Sequence, residues 1–227
     1  LEECAELARG LAKRIYDELG IPCYCYEAAA FKPERKNLAV CRAGEYEALP
    51  EKIADPAKAP DFGPKEYNET VAKSGAINVG ARDFLVAVNY NLNTTSTRRA
   101  MAIAFDVREK GRKMREGGSL TGKVLKDENG KDRWQPGTLK GCKAIGWYID
   151  EYGIAQVSMN ITDIKTTPLH VAYEEVSRAA AARGLRVTGA EIVGLVPKRV
   201  LMEAGKFYLE KQERSLGISD EEIMKIA

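Results

Sequence analysis

The stretch that decides the fold is Lys143-Ala-Ile-Gly-Trp-Tyr-Ile-Asp150, followed by Glu151-Tyr-Gly153 and Ile154-Ala-Gln-Val-Ser-Met-Asn-Ile-Thr162. In its second half, Val157, Met159 and Ile161 alternate with polar residues, which is the period of a half-buried β-strand. The short connection with Gly153 favours a tight turn. The stretch therefore predicts a β-hairpin with one buried face and one polar face.

Strand and helix signals alternate on both sides of this hairpin. The predicted elements, in chain order, are a strand 84–92 that is buried over 84–88, a helix 97–115, a glycine-rich loop or hairpin 116–139, strands 143–150 and 154–162, a helix from 166 or 167 to 183, a strand 190–196, and helices 198–214 and 219–227. Residues 80–196 thus have the order β-α-β-β-α-β. This order predicts an α+β, ferredoxin-like unit, in which an antiparallel sheet carries helices on one face.

Residues 1–80 have a different pattern. An amphipathic helix is predicted over residues 1–19, followed by the strand Cys23–Glu27. The predicted apolar face of the helix is Leu1, Cys4, Ala8, Leu11, Ile15 and Leu19. Five prolines interrupt residues 28–80, with short helical pieces near 35–43 and 46–53, and a connection of this length is typically functional or a linker. Because a helix and one strand cannot bury a core, we expect them to pack against further elements.

Charge and composition exclude several classes of protein. The chain has 227 residues and a mass of 25.0 kDa. Its 35 basic and 33 acidic side chains give a net charge of +2, so nothing favours nucleic acid as a partner. An RNA-recognition domain shares the strand order, but the chain lacks that domain's aromatic strand motif. No apolar run reaches the roughly 20 residues of a membrane span.

The chain has one histidine, His170, and five cysteines. A single imidazole excludes metal sites built on histidine pairs, and the cysteine spacing fits neither a zinc site nor a disulfide framework. We therefore expect no metal and reduced, structural thiols, which is typical of the cytoplasm. His170 falls in the first turn of a helix, where it is either a neutral base or a side chain of the helix surface.

Uncharged polar side chains recur on two of the predicted strands. Asn89 and Asn91 share one face of the first strand, and Gln156, Ser158 and Asn160 share one face of the hairpin. If the strands are neighbours, these groups form a patch that can hydrogen-bond the edge of a heterocycle or an amino acid. The alternative is a solvated sheet face. Arg82 is either a clamp for a carboxylate or a surface residue.

Six motifs in a fixed order resemble one family. They are Pro60-Asp-Phe-Gly-Pro64, Gly80-Ala-Arg-Asp-Phe-Leu-Val-Ala-Val-Asn-Tyr-Asn-Leu92, Ala144-Ile-Gly-Trp-Tyr148, Ala155-Gln-Val-Ser-Met-Asn160, Leu169-His-Val-Ala-Tyr-Glu-Glu175 and Glu191-Ile-Val-Gly-Leu-Val-Pro197. Together they cover nearly the whole chain and resemble glutamate formimidoyltransferase. The resemblance implies transfer of a formimidoyl group from N-formimidoyl-L-glutamate to tetrahydrofolate, a step of histidine degradation. It also implies two α/β subdomains with folate bound between them.

By this resemblance, residues 1–78 are the end of the first subdomain with the folate-binding connection, and residues 79–227 are the second. The expected substrate- and folate-binding residues are Gly63, Pro64, Tyr67, Asn68, Gly75, Arg82, Asn89, Asn91, Gln156 and Asn160. We hypothesise that Arg82 and the amides project from one sheet face. Tetrahydrofolate is expected as co-substrate, together with a homodimer, a cytoplasmic location, and neither nucleic acid nor membrane as partner.

The chain departs from the family in two respects. Residues 65–74 and the loop 116–135 are longer than the corresponding family segments, and a catalytic stretch is absent. The family's catalytic histidine lies in a His-Lys-Gly-Glu-His-Pro-Arg-Met-Gly stretch of the first subdomain, which the chain lacks; His170 matches a different position. We therefore expect an N-terminally truncated member without a catalytic residue of its own, inactive alone. Two alternatives stay open. The chain is a non-catalytic module that binds folate or an amino acid, or it is half of a split enzyme whose other polypeptide carries the histidine.

Overall fold

A computed structural model of the chain describes residues 1–118 and 121–212. The chain forms two compact units, Leu1–Asp83 and Phe84–Ala227. The predicted division between residues 78 and 79 concerns the subdomains of the family and stays a prediction.

The first unit is built on a parallel pair of short strands. Its elements are α1 (Glu2–Leu19), β1 (Cys23–Glu27), a 3-10 turn (Pro33–Lys36), α2 (Leu38–Cys41), α3 (Leu49–Ala54), α4 (Glu69–Ser74) and β2 (Ile77–Ala81). β1 pairs with β2 so that Cys23 lies opposite Ile77 and Tyr24 opposite Asn78. The predicted strand β1 is confirmed. The sequence pattern did not predict α4.

Helix α1 packs through alanines rather than through the predicted leucines. Ala5, Ala8 and Ala12 are buried in a cluster with Cys23 and Cys25 of β1. The leucines of the predicted apolar face, Leu1, Leu11 and Leu19, are exposed, and so is Leu7. Small side chains allow the backbone of a helix to approach a sheet closely, which favours the alanine face. The helix was predicted correctly, and Ala8 and Ile15 of the predicted face pack against this cluster. The prediction was wrong for the leucines and for Cys4, which is exposed.

The second unit is an α+β fold built on an antiparallel sheet. Its elements are β3 (Val86–Leu92), α5 (Thr97–Val107), β4 (Arg112–Lys113), β5 (Trp134–Gln135), β6 (Cys142–Ile149), β7 (Ile154–Ile161), α6 (Leu169–Ala181), β8 (Val187–Val193) and α7 (Lys198–Lys211). The order in the sheet is β6-β7-β3-β8, and every pair is antiparallel. The hairpin β6-β7 is confirmed. β4 and β5 form a separate two-stranded ribbon.

One face of this sheet forms the main core. Alternate residues of β3 and β7 point into it, including Tyr90, Val157 and Met159, and they pack against buried residues of α5 and α6 such as Ile103 and Val176. Burial of this apolar surface is the main favourable term for the unit. The opposite face of the same strands carries the polar residues that the alternation predicts.

Several predicted boundaries moved. Phe84 is 70% exposed rather than buried, because the strand begins at Val86. α5 ends at Val107 instead of residue 115, since Arg108 has extended backbone and bonds the carbonyls of Gly111 and Ala144. β8 spans residues 187–193, not 190–196, and the left-handed Gly194 follows it. The predicted helix 219–227 and the end of helix 198–214 lie outside the described residues.

Candidate functional site

The polar face of the antiparallel sheet gathers four of the predicted amides. Asn89 pairs with Ser158 of β7 and with Glu191 of β8, and the next row places Asn91 opposite Gln156. Residues directly opposite each other in an antiparallel pair project from the same face. Asn160 lies in the row on the other side of Asn89, opposite Ala87. β3 and β7 are therefore neighbours, as the patch requires, and we call Asn89, Asn91, Gln156 and Asn160 the amide patch.

A connected set of hydrogen bonds fixes most of the amide patch. Gln156 is fully buried, and its Nε2 donates to Asn91 Oδ1 at 2.6 Å and to Glu191 Oε2 at 3.4 Å. Asn89 Nδ2 donates to the same Glu191 oxygen at 3.3 Å. Gln156 Oε1 is buried and has no protein partner in the described chain. A fixed acceptor without a partner is suited to an N–H donor of a ligand.

Glu191 and Tyr152 belong to this network, although the sequence pattern did not single them out. Tyr152 Oη donates to Glu191 Oε1 at 3.3 Å, so three donors converge on one carboxylate. Tyr152 lies in the turn between β6 and β7, and Glu191 lies on β8. Only the register of β8 against β3 places Glu191 beside Asn89, and a sequence carries little information on register between distant strands.

Trp147 adds an aromatic ring to the polar face. It lies on β6 directly opposite Gln156 and is 38% exposed. An exposed indole beside buried amides offers a surface on which a planar ligand can stack. Asn160 is exposed at the other end of the patch.

Arg82 does not project from this sheet face. It follows β2 and precedes β3, outside both strands, and its Nη1 donates to the carbonyl of the adjacent Asp83 at 3.3 Å. The prediction that Arg82 shares one sheet face with the amides is therefore wrong. Gly80, two residues before it, belongs to β2 of the first unit. A role for its exposed guanidinium in substrate binding stays a prediction.

Two residues predicted in the folate-binding connection are the caps of α4. Asn68 Oδ1 accepts the backbone N–H of Val71 at 3.0 Å, which caps the N-terminus. Gly75 ends the helix with a φ of 68°, a left-handed conformation that glycine adopts without strain. The capping of α4 therefore accounts for both residue types.

The remaining residues of the connection lie near these caps. Tyr67 is exposed, and its hydroxyl lies 3.3 Å from that of Tyr46. Gly63 sits so close to Pro60 that a Cβ at this position would lie 2.4 Å from the Pro60 Cγ. Pro64 follows it and is half-buried. Their contact with folate is a prediction on which this geometry does not bear.

Comparison with known proteins gives two consecutive matches. Residues 1–82 match the family described as the formiminotransferase domain, N-terminal subdomain, and residues 87–227 match the family described as the formiminotransferase domain. The chain belongs to the formiminotransferase domain family. The gap between the matches includes the boundary between the two compact units.

The curated relatives of this chain carry two names, formimidoyltransferase-cyclodeaminase and glutamate formimidoyltransferase. It is 44% identical to the formimidoyltransferase-cyclodeaminase of Gallus gallus over 213 residues, which are 94% of this chain and 35% of the relative. It is 38% identical to the glutamate formimidoyltransferase of Thermoplasma acidophilum over 212 residues, 92% of this chain and 60% of the relative. For the glutamate formimidoyltransferase of Streptococcus pyogenes serotype M1, the identity is 35%, over 93% of this chain and 62% of the relative. The chain thus spans less than two thirds of each relative.

His170 is a packed side chain in this formiminotransferase domain. It stacks on Phe207 of α7 with ring centroids 4.4 Å apart, and its Nδ1 is buried without a protein partner in the described chain. Burial lowers the pKa of His170, while the nearby carboxylates of Glu203 and Glu174 raise it. The imidazole is therefore predominantly neutral at pH 7.

None of the five cysteines, all of which lie in the described residues, forms a disulfide. Cys4 is exposed, and the other four cysteines are buried. Within residues 1–118 and 121–212, no group of three or more His, Cys, Asp or Glu side chains is arranged to hold a metal ion. In the same part of the chain, no helix is both long and apolar enough to cross a membrane.

Proposed function

We propose that this chain is part of an enzyme that transfers a formimidoyl group from N-formimidoyl-L-glutamate to tetrahydrofolate. The products are 5-formimidoyltetrahydrofolate and L-glutamate. The observation that carries the proposal is the amide patch, in which Gln156 and Asn91 are hydrogen-bonded and Gln156 Oε1 remains free of protein partners. The family membership and the names of the relatives support it.

The reaction forms one C–N bond and breaks another. The N5 nitrogen of tetrahydrofolate attacks the amidine carbon, and a tetrahedral intermediate forms. The bond to the glutamate nitrogen then breaks, and the proton lost from N5 goes to the departing amine. Such a transfer needs a base within hydrogen-bonding reach and two substrates held in line.

Within the proposal, the amide patch binds the pterin ring. A pterin carries N–H donors and a carbonyl acceptor on one edge, which Gln156 Oε1 and the amide nitrogens complement. Glu191 supplies a carboxylate that accepts from Asn89 and Gln156 and fixes their orientation. The indole of Trp147, opposite Gln156, offers a face on which the pterin ring stacks. Asn160 is the exposed end of the amide patch. Arg82 of the first unit is retained separately as a proposed partner of the carboxylates of the folate tail.

The base is proposed to lie outside residues 1–227. His170 is packed against Phe207, and its buried Nδ1 has no orienting partner among the described residues. We therefore expect the isolated chain to bind folate without turnover. We retain Gly63, Pro64, Tyr67, Asn68 and Gly75 as a proposed second set of folate contacts. A homodimer and a cytoplasmic location are part of the same proposal.

The second unit is proposed to have the ferredoxin-like arrangement. Its elements follow the order β-α-β-β-α-β, and the sheet order places the first strand between the third and the fourth. In this arrangement the helices cover one sheet face and leave the other available to a ligand. The function does not follow from the arrangement, which serves many activities.

Fluorescence titration tests the proposal. Replacing Trp134, which lies on the ribbon, with Phe leaves Trp147 as the only tryptophan, so its emission reports on the amide patch. Tetrahydrofolate should quench this emission in a saturable manner. In that background, Asn89→Ala and Gln156→Ala should each weaken binding about tenfold, because a buried polar partner is lost.

Asn129→Ala is the matched control, since Asn129 is an exposed amide on a loop between β4 and β5. It should bind folate like the parent chain. Unchanged affinity in both Asn89→Ala and Gln156→Ala would contradict the binding of folate at the amide patch. If the isolated chain binds folate and its source cells show no formiminotransferase activity, the non-catalytic module is favoured. A stable complex with a second polypeptide that restores turnover would favour the split enzyme.

A further inference from the structure

A polar cavity lies within the first unit. It has a volume of about 280 Å³, and its walls include Tyr24, Tyr46, Lys52, Gly75 and Asn78. The cavity is slightly smaller than the usual range for small-molecule sites, about 300–1,000 Å³, which fits a small metabolite rather than a molecule of folate size. Three of its polar side chains have unused hydrogen-bonding capacity.

Lys52 is a buried cation without an ion pair in the described part of the chain. It is 7% exposed, and its Nζ donates to the carbonyls of Cys41 and Ala43. An ammonium has three donors, so one remains. Glu45 also lines the cavity, but its carboxylate pairs with Arg42. A buried charge that only carbonyls solvate is costly, and an anionic ligand would supply the missing counter-ion.

Tyr24 and Asn78 contribute a donor and an acceptor to the lining of the cavity. They lie opposite each other on β1 and β2, so their side chains share one face. Tyr24 Oη and Asn78 Oδ1 are both buried without a protein partner in the described chain. Burial raises the pKa of Tyr24 to about 12, so the hydroxyl keeps its proton. The Lys52 ammonium lies 4.7 Å from the centroid of the Tyr24 ring.

We propose that this cavity binds a small amino acid. Its carboxylate accepts from the Lys52 ammonium and the Tyr24 hydroxyl, and its nitrogen donates to Asn78 Oδ1. The pairing of two donors with one acceptor distinguishes an amino acid from a simple carboxylate. The cavity itself is independent of the proposed function, but the choice of L-glutamate as occupant rests on it, because L-glutamate is the product of the proposed reaction.

Calorimetric titration of the 227-residue chain with L-glutamate, in the absence of folate, tests the site. Saturable binding is expected. Tyr24→Phe should weaken it at least about tenfold, because a hydrogen bond to a charged group is lost. The same variant should melt at an unchanged or higher temperature, since it removes a buried hydroxyl without a partner. Tyr26→Phe, on the same strand but outside the cavity wall, should bind like the parent chain.

Glutarate, which lacks the amino group of glutamate, tests the role of Asn78. The parent chain should prefer L-glutamate, and Asn78→Ala should abolish that preference while it leaves glutarate binding unchanged. This variant carries the test even if Tyr24→Phe does not fold. Absence of glutamate binding at millimolar concentration, or binding that neither variant alters, overturns the proposal. Because folate is absent, either result leaves the amide patch and its titration unaffected.

Discussion

Gln156 Nε2 donates a hydrogen bond of 2.6 Å to Asn91 Oδ1, although 65 residues of sequence separate the two side chains. The bond crosses from β7 to β3 on the face of the sheet opposite the main core. It joins a fully buried amide to a half-buried one. The amide patch is therefore a fixed structure before any ligand binds, which reduces the entropic cost of recognition.

A double-mutant cycle measures this bond. Gln156→Ala and Asn91→Ala should each lower the free energy of unfolding, by about 2 kcal/mol for the buried glutamine. The double variant should lose less than the sum, with a coupling of about 0.5–1.5 kcal/mol. Urea denaturation of the four proteins gives the values. The cycle of Gln156→Ala with the distant Asn129→Ala should be additive, and additivity in the first cycle would contradict the bond.

The buried ion pair of the first unit is the next test. Arg35 Nη1 lies 2.6 Å from Asp61 Oδ1, and both side chains are about 5% exposed. Asp61 Oδ2 also accepts the backbone N–H of Cys25 on β1. Asp61→Asn leaves a buried guanidinium without its counter-ion, so we expect a loss of about 3–5 kcal/mol in stability.

Denaturation of Asp61→Asn, followed by circular dichroism, checks this expectation. Asp17→Asn is the control, because Asp17 pairs with Lys13 on the exposed side of α1. Exposed pairs contribute little, so this variant should change stability by less than about 1 kcal/mol. Equal losses in the two variants would show that burial of the Arg35–Asp61 pair has no energetic consequence.

Alkaline pH tests the buried thiols. Burial raises the pKa of Cys23 and of Cys25 from 9.0 to about 11. Between these pH values the unfolded chain releases protons that the folded chain retains. The contribution of both thiols to stability is therefore complete below pH 9 and is lost as the pH rises to about 11.

The measurement is the free energy of unfolding from pH 8 to pH 11 for the parent chain and for the Cys23→Ala/Cys25→Ala variant. Other groups titrate in this range in both proteins, so the difference between the curves isolates the two thiols. The variant should lose stability less steeply. Parallel curves would mean that the pKa values of the two thiols are the same in the folded and unfolded states.

Asp106 is an acidic centre of the second unit. Its carboxylate pairs with Arg112 and with Arg183, which follows α6. Its backbone carbonyl accepts from Thr138 at 3.0 Å. Asp106→Asn leaves two half-buried guanidinium groups without a counter-ion, and we expect a loss of about 2 kcal/mol. Thermal melting checks this, with Glu175→Gln, which removes the pairing of Glu175 with the exposed Arg178, as the milder control.

The sequence by itself determined much of the second unit. Strict alternation over residues 154–161 predicted both the strand and its two faces, because successive side chains of a strand point to opposite sides. The same alternation separated Asn89 and Asn91 from the core residues of β3. Local sequence signals also placed the ends of most helices within a few residues of the ends in the structure. The main exception is α5, which ends before Arg108 because the Arg108 side chain bonds the carbonyls of Gly111 and Ala144.

Only the tertiary structure decided which polar groups meet. Glu191 reaches Asn89 through the register of β8, and Lys52 and Tyr24 reach one cavity wall through the packing of α3 on β1. Arg82 was misplaced because the sequence does not show that the strand before it pairs with β1. Likewise, the hydrophobic period of α1 predicted a helix, but its close contact with β1 determines that its alanines, and not its leucines, are buried. Periodicity is a local property of the chain, whereas register and packing depend on contacts between residues far apart in sequence, and those contacts formed both candidate sites.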